Sequence, residues 1–255
     1  MCLVVFGWRY APGQRLALVG NRDEFHARPT APLGWWERPP ILAGRDLSAG
    51  GTWLGVDARA RFGVVTNFRG GPVPQDAPSR GTLIPRYLAG TLAPLPFLEA
   101  LAREASAYAG FSLLLGDAES LGYYCNRDPE SPRLLDPGVY GLSNATLDAP
   151  WPKLLGARAA LGARLARGVN DPAALTGILA GRDRAPDATL PDTGVGLELE
   201  RRLSAAFIVG ADYGTRSTTA LALDAAGRGA IVEASFGADG GGTGSRRFEL
   251  GAPSP

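Results

Sequence analysis

The stretch Cys2-Leu3-Val4-Val5-Phe6-Gly7-Trp8 is an apolar strand that starts with a cysteine directly behind the initiator Met1. Initiator methionine is normally removed before a small residue, and Cys2 then carries a thiol and a free α-amine on one carbon. A thiol has an ordinary pKa of about 8.5 and an α-amine one of about 7.7 to 8.0, so part of the amine is neutral at pH 7 and can accept the thiol proton. The stretch therefore predicts a nucleophile with its own base. The alternative is a small, buried apolar residue, the usual role of a free cysteine.

Polar clusters recur where the predicted strands end, the first of them after the apolar residues 16–20. In chain order the clusters are Asn21-Arg22-Asp23-Glu24, Gly50-Gly51-Thr52-Trp53-Leu54-Gly55, Thr66-Asn67-Phe68-Arg69, Tyr140-Gly141-Leu142-Ser143-Asn144 and Tyr213-Gly214-Thr215-Arg216-Ser217-Thr218-Thr219. Together with Cys2 they resemble the NRDE (transport and Golgi organisation protein 2-like) family, from Cys2 to about Phe248. Five blocks in order make this resemblance specific, whereas a single block would be weak.

Length and composition fit one globular domain over residues 1–255, in which residues 237–255 form a partly flexible tail because 237–244 is rich in glycine. The 26 basic and 25 acidic side chains give a formal net charge of +1. This balance gives no electrostatic basis for binding nucleic acid.

Cysteine and histidine usage limits the chemistry. Cys2 and Cys125 allow at most one disulfide, and neither has the spacing of a zinc or haem-attachment motif. His26 is the only histidine, so a hydrolytic mechanism must find its base elsewhere. We therefore predict no metal site and no resident cofactor. The apolar residues 3–8 are too short for a signal sequence or a membrane span, which predicts a cytoplasmic protein.

Short strands are predicted towards both ends of the chain, with helices between them. The predicted strands are 2–8, 15–20, 53–56, 62–67, 111–115, 121–125, 138–143, 205–210, 218–223, 229–236 and 246–250. The predicted helices are 82–92, 94–107, 153–167 and one that Asp171-Pro172 caps and opens. The Pro- and Trp-rich residues 27–50 are predicted to be a long loop that covers or walls a site.

This order of elements predicts an α+β fold, a four-layer αββα sandwich of two stacked antiparallel sheets. A terminal cysteine on the first strand of such a sandwich is the arrangement of N-terminal nucleophile hydrolases. The polar clusters also resemble those of the cysteine branch, which includes penicillin V acylase, bile salt hydrolase and acid ceramidase.

In that branch an Arg and an Asp follow the first hairpin, two Asn line the oxyanion site, and a late Arg supports the nucleophile. The resemblance implies these catalytic roles for Cys2, Arg22, Asp23, Asn67, Asn144 and Arg216. We assign substrate contacts to Glu24, Trp53 and Phe68.

Positive charge on Arg22 and Arg216 would favour a thiolate at Cys2, and Asp23 would accept a hydrogen bond from its amine. In the enzyme branch the Arg and the Asp are separated, whereas here they adjoin, so Glu24 is the alternative to Asp23.

The side-chain amides of Asn67 and Asn144 can donate to the oxygen of a tetrahedral intermediate, and one such donor contributes roughly 10²–10³ in rate.

Each pattern also has a purely structural interpretation. The Asn21-Arg22-Asp23-Glu24 cluster can be a solvated turn with local ion pairs, which contribute little stability. Gly50-Gly51 can serve a tight turn or a close backbone approach. The tryptophans can be packing residues.

Two functions follow from the resemblance. The first is an amidohydrolase or thioesterase that acts on a small acyl compound through Cys2. The alternative is a non-catalytic pocket protein that binds and moves haem or an acyl-lipid such as acyl-CoA, for which Cys2 and His26 are candidate axial ligands. An enzyme requires a processed N-terminal thiol, whereas a carrier requires only a lined cavity. The oligomeric state is not predicted.

Overall fold

Two antiparallel sheets lie at the centre of the molecule. The computed structural model describes residues 2–251, without the side chain of Cys2. The strands are β1 (Cys2–Trp8), β2 (Gln14–Phe25), β3 (Thr30–Trp35), β4 (Ile41–Asp46), β5 (Leu54–Asp57), β6 (Phe62–Asn67), β7 (Phe111–Gly116), β8 (Leu121–Cys125), β9 (Arg133–Leu134), β10 (Gly138–Leu142), β11 (Tyr213–Asp224), β12 (Gly229–Phe236) and β13 (Gly242–Leu250). The helices are α1 (Leu83–Ala89), α2 (Pro94–Ala102), α3 (Pro152–Ala166), α4 (Pro172–Thr176) and α5 (Leu197–Leu203).

Within the described chain, the first sheet has the strand order β10-β1-β2-β11-β12-β13, and the second has the order β3-β4-β5-β6-β7-β8-β9. Helices α3 and α4 cover the outer face of the first sheet, while α1 and α2 cover that of the second. The layers therefore run helix, sheet, sheet, helix. The predicted α+β fold, an αββα sandwich, is confirmed.

Side-chain alternation along the central strands creates the layers, because successive residues of a strand point to opposite faces of its sheet. Phe6 and Leu18 lie in the core between the two sheets, together with Phe62 of the second sheet. Their neighbours Val5 and Val19 lie on the outer face, against α3. Strands β1 and β2 are thus buried on both faces, which explains their continuous apolar sequences.

The prediction of a loop over residues 27–50 is wrong, because β3 and β4 lie in this stretch. The prolines favoured a loop, because proline lacks the backbone N–H group that a strand donates to its neighbour. An edge strand tolerates this loss, and β3 is the edge of the second sheet. The pairing of β3 with β4 is irregular between Ala31 and Gly34, where Pro32 lies.

The polar cluster Asn21-Arg22-Asp23-Glu24 lies inside a strand and not after one, because β2 continues to Phe25. Strand β11 pairs with this whole segment and covers its backbone hydrogen-bonding groups. Its side chains therefore alternate between the two faces of the sheet instead of sharing one solvated turn.

Two predictions near the end of the chain also differ from the structure. No strand forms over residues 205–210: Phe207 and Ile208 are buried, but their N–H groups donate to Gly181 O and to the side-chain Oγ1 of Thr215, not to backbone oxygens of a neighbouring strand. Part of the expected flexible tail forms β13, which pairs with β12.

Two smaller differences concern helices. Asp171 does not cap α4 with its side chain but pairs with Arg247. Helix α5 has no counterpart among the predicted helices.

No helix within residues 2–251 has both the length and the apolar composition that crossing a bilayer requires.

Candidate active site

The backbone register brings position 2 beside the polar cluster of β2. Cys2 is paired with Arg22, which is paired on its other side with Ser217 of β11. Paired residues in adjacent antiparallel strands have Cα atoms about 4.5–5.5 Å apart. The first residue of β1 therefore lies directly next to a buried arginine.

Arg22 is held in place on several sides. It is 5 % exposed, and its guanidinium carbon lies 4.4 Å from the ring centroid of Trp53. Its Nη1 donates to Thr30 Oγ1 at 3.2 Å, and its Nη2 lies 3.9 Å from Glu24 Oε2. Stacking on an indole and burial both restrict the guanidinium to one position. Its charge is therefore fixed beside the start of β1.

Asp23 lies on the opposite face of β2 from Arg22 and is 1 % exposed. Its Oδ1 accepts a hydrogen bond from Thr215 Oγ1 at 2.6 Å, and the same hydroxyl oxygen accepts one from the Ile208 N–H at 2.9 Å. Burial raises the pKa of Asp23, although the Thr215 hydrogen bond and nearby cationic groups oppose this effect. Glu24, on the same face as Arg22, accepts a hydrogen bond from the Phe25 N–H at 2.9 Å.

Five of the predicted site residues line one cavity of about 390 Å³, which we call the Arg22 cavity. These residues are Arg22, Asp23, Glu24, Trp53 and Asn67. Its other walls come from the turn around residues 49–52 and from the segment 73–81, which includes the exposed Val73. The lining is therefore rich in charged and polar side chains, with apolar residues at Val73, Ala77 and Pro78.

Close backbone contact shapes one wall of the Arg22 cavity. A Cβ atom on Gly51 would lie 2.4 Å from the carbonyl carbon of Gly81, and the Thr52 N–H donates to Gly81 O at 2.9 Å. Only glycine at position 51 leaves room for this contact, as one interpretation of Gly50-Gly51 predicted.

The two asparagines assigned to the oxyanion site are brought together, but only Asn67 lines the cavity. Asn144 is 1 % exposed, and its Nδ2 donates to the backbone oxygen of Asn67 at 2.9 Å. Its own backbone oxygen accepts a hydrogen bond from the Arg69 N–H at 2.8 Å. Asn144 thus connects the segment after β10 to the end of β6.

Arg216 and Phe68 lie outside the Arg22 cavity. Arg216 is the extra residue of a β-bulge between Thr215 and Ser217, and its Nη1 donates to the backbone oxygens of Phe25 and Arg28 at 2.9 and 3.0 Å. The bulge turns this side chain towards a second cavity. Phe68 packs against the core between the sheets.

The predicted site did not include Thr215, Arg28 and Asp46. Arg28 Nε donates to Asp46 Oδ2 at 2.8 Å in the lining of the Arg22 cavity. Burial by itself raises the pKa of Asp46. The hydrogen bonds from Arg28 and from the Ala49 and Ser48 N–H groups outweigh this effect, so the pKa is lowered. Thr215 belongs to the polar cluster 213–219, and a prediction of β2 at its full length would have brought its hydroxyl into register with Asp23.

The described residues contain no group of three or more His, Cys, Asp or Glu side chains able to hold a metal ion. His26 does not line the Arg22 cavity, because its Nε2 lies beside Gly214. The charged lining and the position of His26 do not fit haem held between Cys2 and His26.

Fold and site together define an αββα sandwich protein whose first strand begins at a cysteine beside a buried arginine and a polar cavity. The chain belongs to the transport and Golgi organisation 2 family, whose model matches residues 1–238. The predicted NRDE resemblance is thereby confirmed.

Among its relatives, the transport and Golgi organization protein 2 homolog of Bos taurus is 33% identical over 257 residues, which cover 92% of this chain and 93% of the relative. The homolog of Homo sapiens is 32% identical over 258 residues with the same shares. The Drosophila melanogaster protein is 30% identical over 173 residues, 60% of this chain and 61% of that protein. A solved structure, the Caenorhabditis elegans N-acylethanolamine-hydrolyzing acid amidase ortholog, has a TM-score of 0.42 and 12% identity over 86% of this chain and 92% of that chain.

Proposed function

We propose that this chain is a cysteine N-terminal nucleophile hydrolase that cleaves the C–N amide or the thioester bond of a small acyl compound, with Cys2 as nucleophile. The pairing of Cys2 with the buried, stacked Arg22 at the edge of a polar cavity carries the proposal. A guanidinium next to a thiol favours the thiolate, the reactive form of cysteine. Position 2 is the first residue of β1, and Val4 and Phe6 of the same strand lie in the core between the two sheets.

In the proposed reaction, the α-amine of processed Cys2 takes the thiol proton and the sulfur attacks the carbonyl carbon of the substrate. The new S–C bond forms as the carbonyl electrons move to oxygen, and collapse of this intermediate breaks the C–N bond. The proton held by the α-amine leaves with the amine product. Water then attacks the thioester, which releases the acid and restores the thiol.

The surrounding residues divide the remaining tasks. Arg22 stabilises the thiolate, and the amide of Asn67 supplies a donor to the oxyanion from the cavity wall. Asn144 keeps the end of β6 in place through its hydrogen bond to Asn67 O. Asp23 or Glu24 directs the α-amine of Cys2. Arg216, which donates to Phe25 O and Arg28 O, keeps the β2–β3 connection in place.

The experiment compares Cys2→Ala with Cys125→Ala on a panel of acyl amides and thioesters. Cys125 is the matched control, because it is buried in the core between the sheets and does not line the Arg22 cavity. We expect Cys2→Ala to lower the rate by at least about 10³-fold while Cys125→Ala stays within a few-fold of the wild type. Intact mass spectrometry of the active protein should show that Met1 has been removed.

Two results would contradict the proposal. One is an active protein that retains Met1, since an amide nitrogen has no useful basicity. The other is a wild type that is inert towards the whole panel and yet binds haem or acyl-CoA tightly, which is the outcome expected of a carrier.

A further inference from the structure

The inner face of the first sheet changes from apolar to polar along its strands. Near the middle it carries Phe6, Leu18, Leu221, Ile231 and Phe248. Towards the Arg22 cavity, the registered row across β1, β2, β11, β12 and β13 is Cys2, Arg22, Ser217, Ser235 and Gly244. From Arg22 to the far edge of the sheet, this row therefore carries a charged residue and then only small residues, two of them serines.

This row ends in a second cavity of about 370 Å³, which we call the Ser217 cavity. Strand β3 of the other sheet covers it with Thr30 and Pro32, and β13 closes it with residues 243–246. Trp53, on which Arg22 stacks, lines both the Ser217 cavity and the Arg22 cavity. The two cavities are therefore neighbours that share this indole as part of their lining.

Two residues that line the Ser217 cavity carry hydrogen-bond donors without a partner in the described part of the chain. Ser217 is 5 % exposed, and its hydroxyl has no hydrogen-bond partner within residues 2–251. The buried Trp53 Nε1 likewise lacks one in that part of the chain. Buried donors without partners are rare in proteins, because each costs the free energy of its lost hydration. A ligand that accepts hydrogen bonds would remove this cost.

The charged groups of the Ser217 cavity define the charge of such a ligand. Arg216 and Arg246 are positive, and each is anchored through Nη1 on backbone oxygens, Arg246 on Leu33 O at 3.0 Å. Glu233 is negative, and it already accepts hydrogen bonds from the Leu33 N–H and the Thr219 hydroxyl. Two positive groups and one negative group leave one positive charge, which matches a monoanion.

We propose that the Ser217 cavity binds the distal carboxylate of the acyl substrate, whose reactive carbonyl lies at Cys2. This inference rests on the proposed function. Ser217 is two strands away from Cys2, and at about 4.8 Å per strand the separation is about 10 Å. The substrate class is therefore an acyl amide or thioester with a carboxylate at the far end of a chain of roughly seven bonds.

The test measures equilibrium binding to the Cys2→Ala protein by calorimetry, so turnover does not interfere. The probes are suberamic acid, which has an amide at one end and a carboxylate at the other, and octanamide, which has the same length without the carboxylate. We expect suberamate to bind at least about tenfold more tightly than octanamide. Arg246→Gln should weaken suberamate binding at least about tenfold and leave octanamide binding unchanged.

Arg247→Gln is the matched control, because Arg247 is the next residue of β13 and pairs with Asp171 and Glu249 outside the Ser217 cavity. Ser217→Val is a second variant: valine suits a strand, adds bulk to the cavity and removes the hydroxyl, so suberamate binding should be lost. Equal affinity for the two probes, or an unchanged affinity in Arg246→Gln, overturns the subsite.

The two proposals fail in different ways. If the wild type hydrolyses simple acyl amides but shows no preference for suberamate, the subsite is wrong and the hydrolase stands. If the wild type hydrolyses nothing but suberamate binding still depends on Arg246, the subsite stands as a carboxylate site and the hydrolase is wrong.

Discussion

Asn144 holds two strand ends together at a backbone conformation that few residues adopt. Its φ is 57°, in the left-handed region, where asparagine is found more often than most side chains. Its amide donates to Asn67 O at 2.9 Å, and burial keeps water away from this contact. The local conformation and the hydrogen bond therefore both depend on the residue type at this position.

The two contributions can be separated by comparing Asn144→Ala with Asn144→Gly. Both variants lose the hydrogen bond, at a cost of about 1 kcal/mol. In the left-handed conformation alanine is also strained, by a further cost of about 1–2 kcal/mol. Glycine adopts this conformation without that strain. We expect denaturant midpoints in the order wild type, Asn144→Gly, Asn144→Ala. An alanine variant as stable as the glycine variant would show that strain is unimportant here.

Neighbouring polar residues of β2 have different roles because they face different layers. Asn21 faces the helical layer, where its Nδ2 donates to Leu179 O and Ala206 O at 3.1 and 2.8 Å. Arg22 faces the opposite sheet and Trp53. The resemblance predicted the residue types of the candidate site, but without the full extent of β2 it could not assign them to faces.

Among the larger elements, helix α5 is tied to the end of β6 by a buried ion pair. Arg69 Nη1 lies 2.5 Å from Glu200 Oε2, and each side chain is 5 % exposed. Glu200 Oε1 also accepts hydrogen bonds from the N–H and the hydroxyl of Thr193, at 3.0 and 2.5 Å. The Arg69 guanidinium lies 4.8 Å from the Trp151 ring centroid. The Arg69–Glu200 pair and its contacts therefore connect α5, the segment at Thr193 and the residue before α3, Trp151, to the chain just after Asn67.

A double-mutant cycle on this pair tests its role. Removing one partner leaves a buried charge, so Arg69→Met or Glu200→Leu alone should cost about 3–5 kcal/mol in the free energy of unfolding. The double variant should be markedly more stable than the sum of the two losses predicts, because it leaves neither charge behind. The measurement is chemical denaturation of the four proteins. Additive losses would show that the two side chains do not interact.

An element could be predicted from the sequence where the spacing of its apolar residues agreed with the faces that it buries in the fold. The hairpin of β5 and β6 and helix α3 were predictable, because alternating or helical apolar spacing matches what each element buries. Strands β3 and β4 were not, because the prolines within and around them predicted a loop, and Pro32 of β3 is tolerated only at a sheet edge, which a sequence does not reveal. Arg28 and Asp46 lie in that stretch, so this part of the cavity lining was missed as well.

For the whole molecule, the layer between the sheets combines an apolar core with a polar end. Both cavities lie at this polar end, which contains the buried acid Glu233, while a second buried acid, Asp23, lies on the other face of β2; the two are 2 % and 1 % exposed. Burial disfavours an ionised carboxyl group unless hydrogen bonds and cations compensate. The site residues therefore make the fold less stable than an apolar layer would, which is common for functional sites.

The pH dependence of global unfolding measures this cost at Glu233. Burial raises the pKa of Glu233, although hydrogen bonds from Leu33 and Thr219 and the charges of Arg22 and Arg246 oppose the rise. An acid with a raised pKa in the folded state binds more protons when folded than when unfolded. Its contribution to stability is therefore fully present below the unfolded pKa of 4.5 and is lost as the pH rises through the folded pKa. Each unit of pKa difference corresponds to about 1.4 kcal/mol.

Glu233→Gln keeps the size of the side chain and removes its titration. The free energy of unfolding of the wild type minus that of Glu233→Gln should consequently be largest near pH 4 and fall as the pH rises towards 8. Chemical denaturation at a series of pH values measures this difference, and Glu99→Gln, at an exposed position on α2, is the control for the loss of one carboxylate. A difference that rises with pH would mean that Arg22, Arg246 and the hydrogen bonds outweigh burial. Glu233 would then stabilise the fold as an ion, and the polar end of the layer would carry no cost at this position.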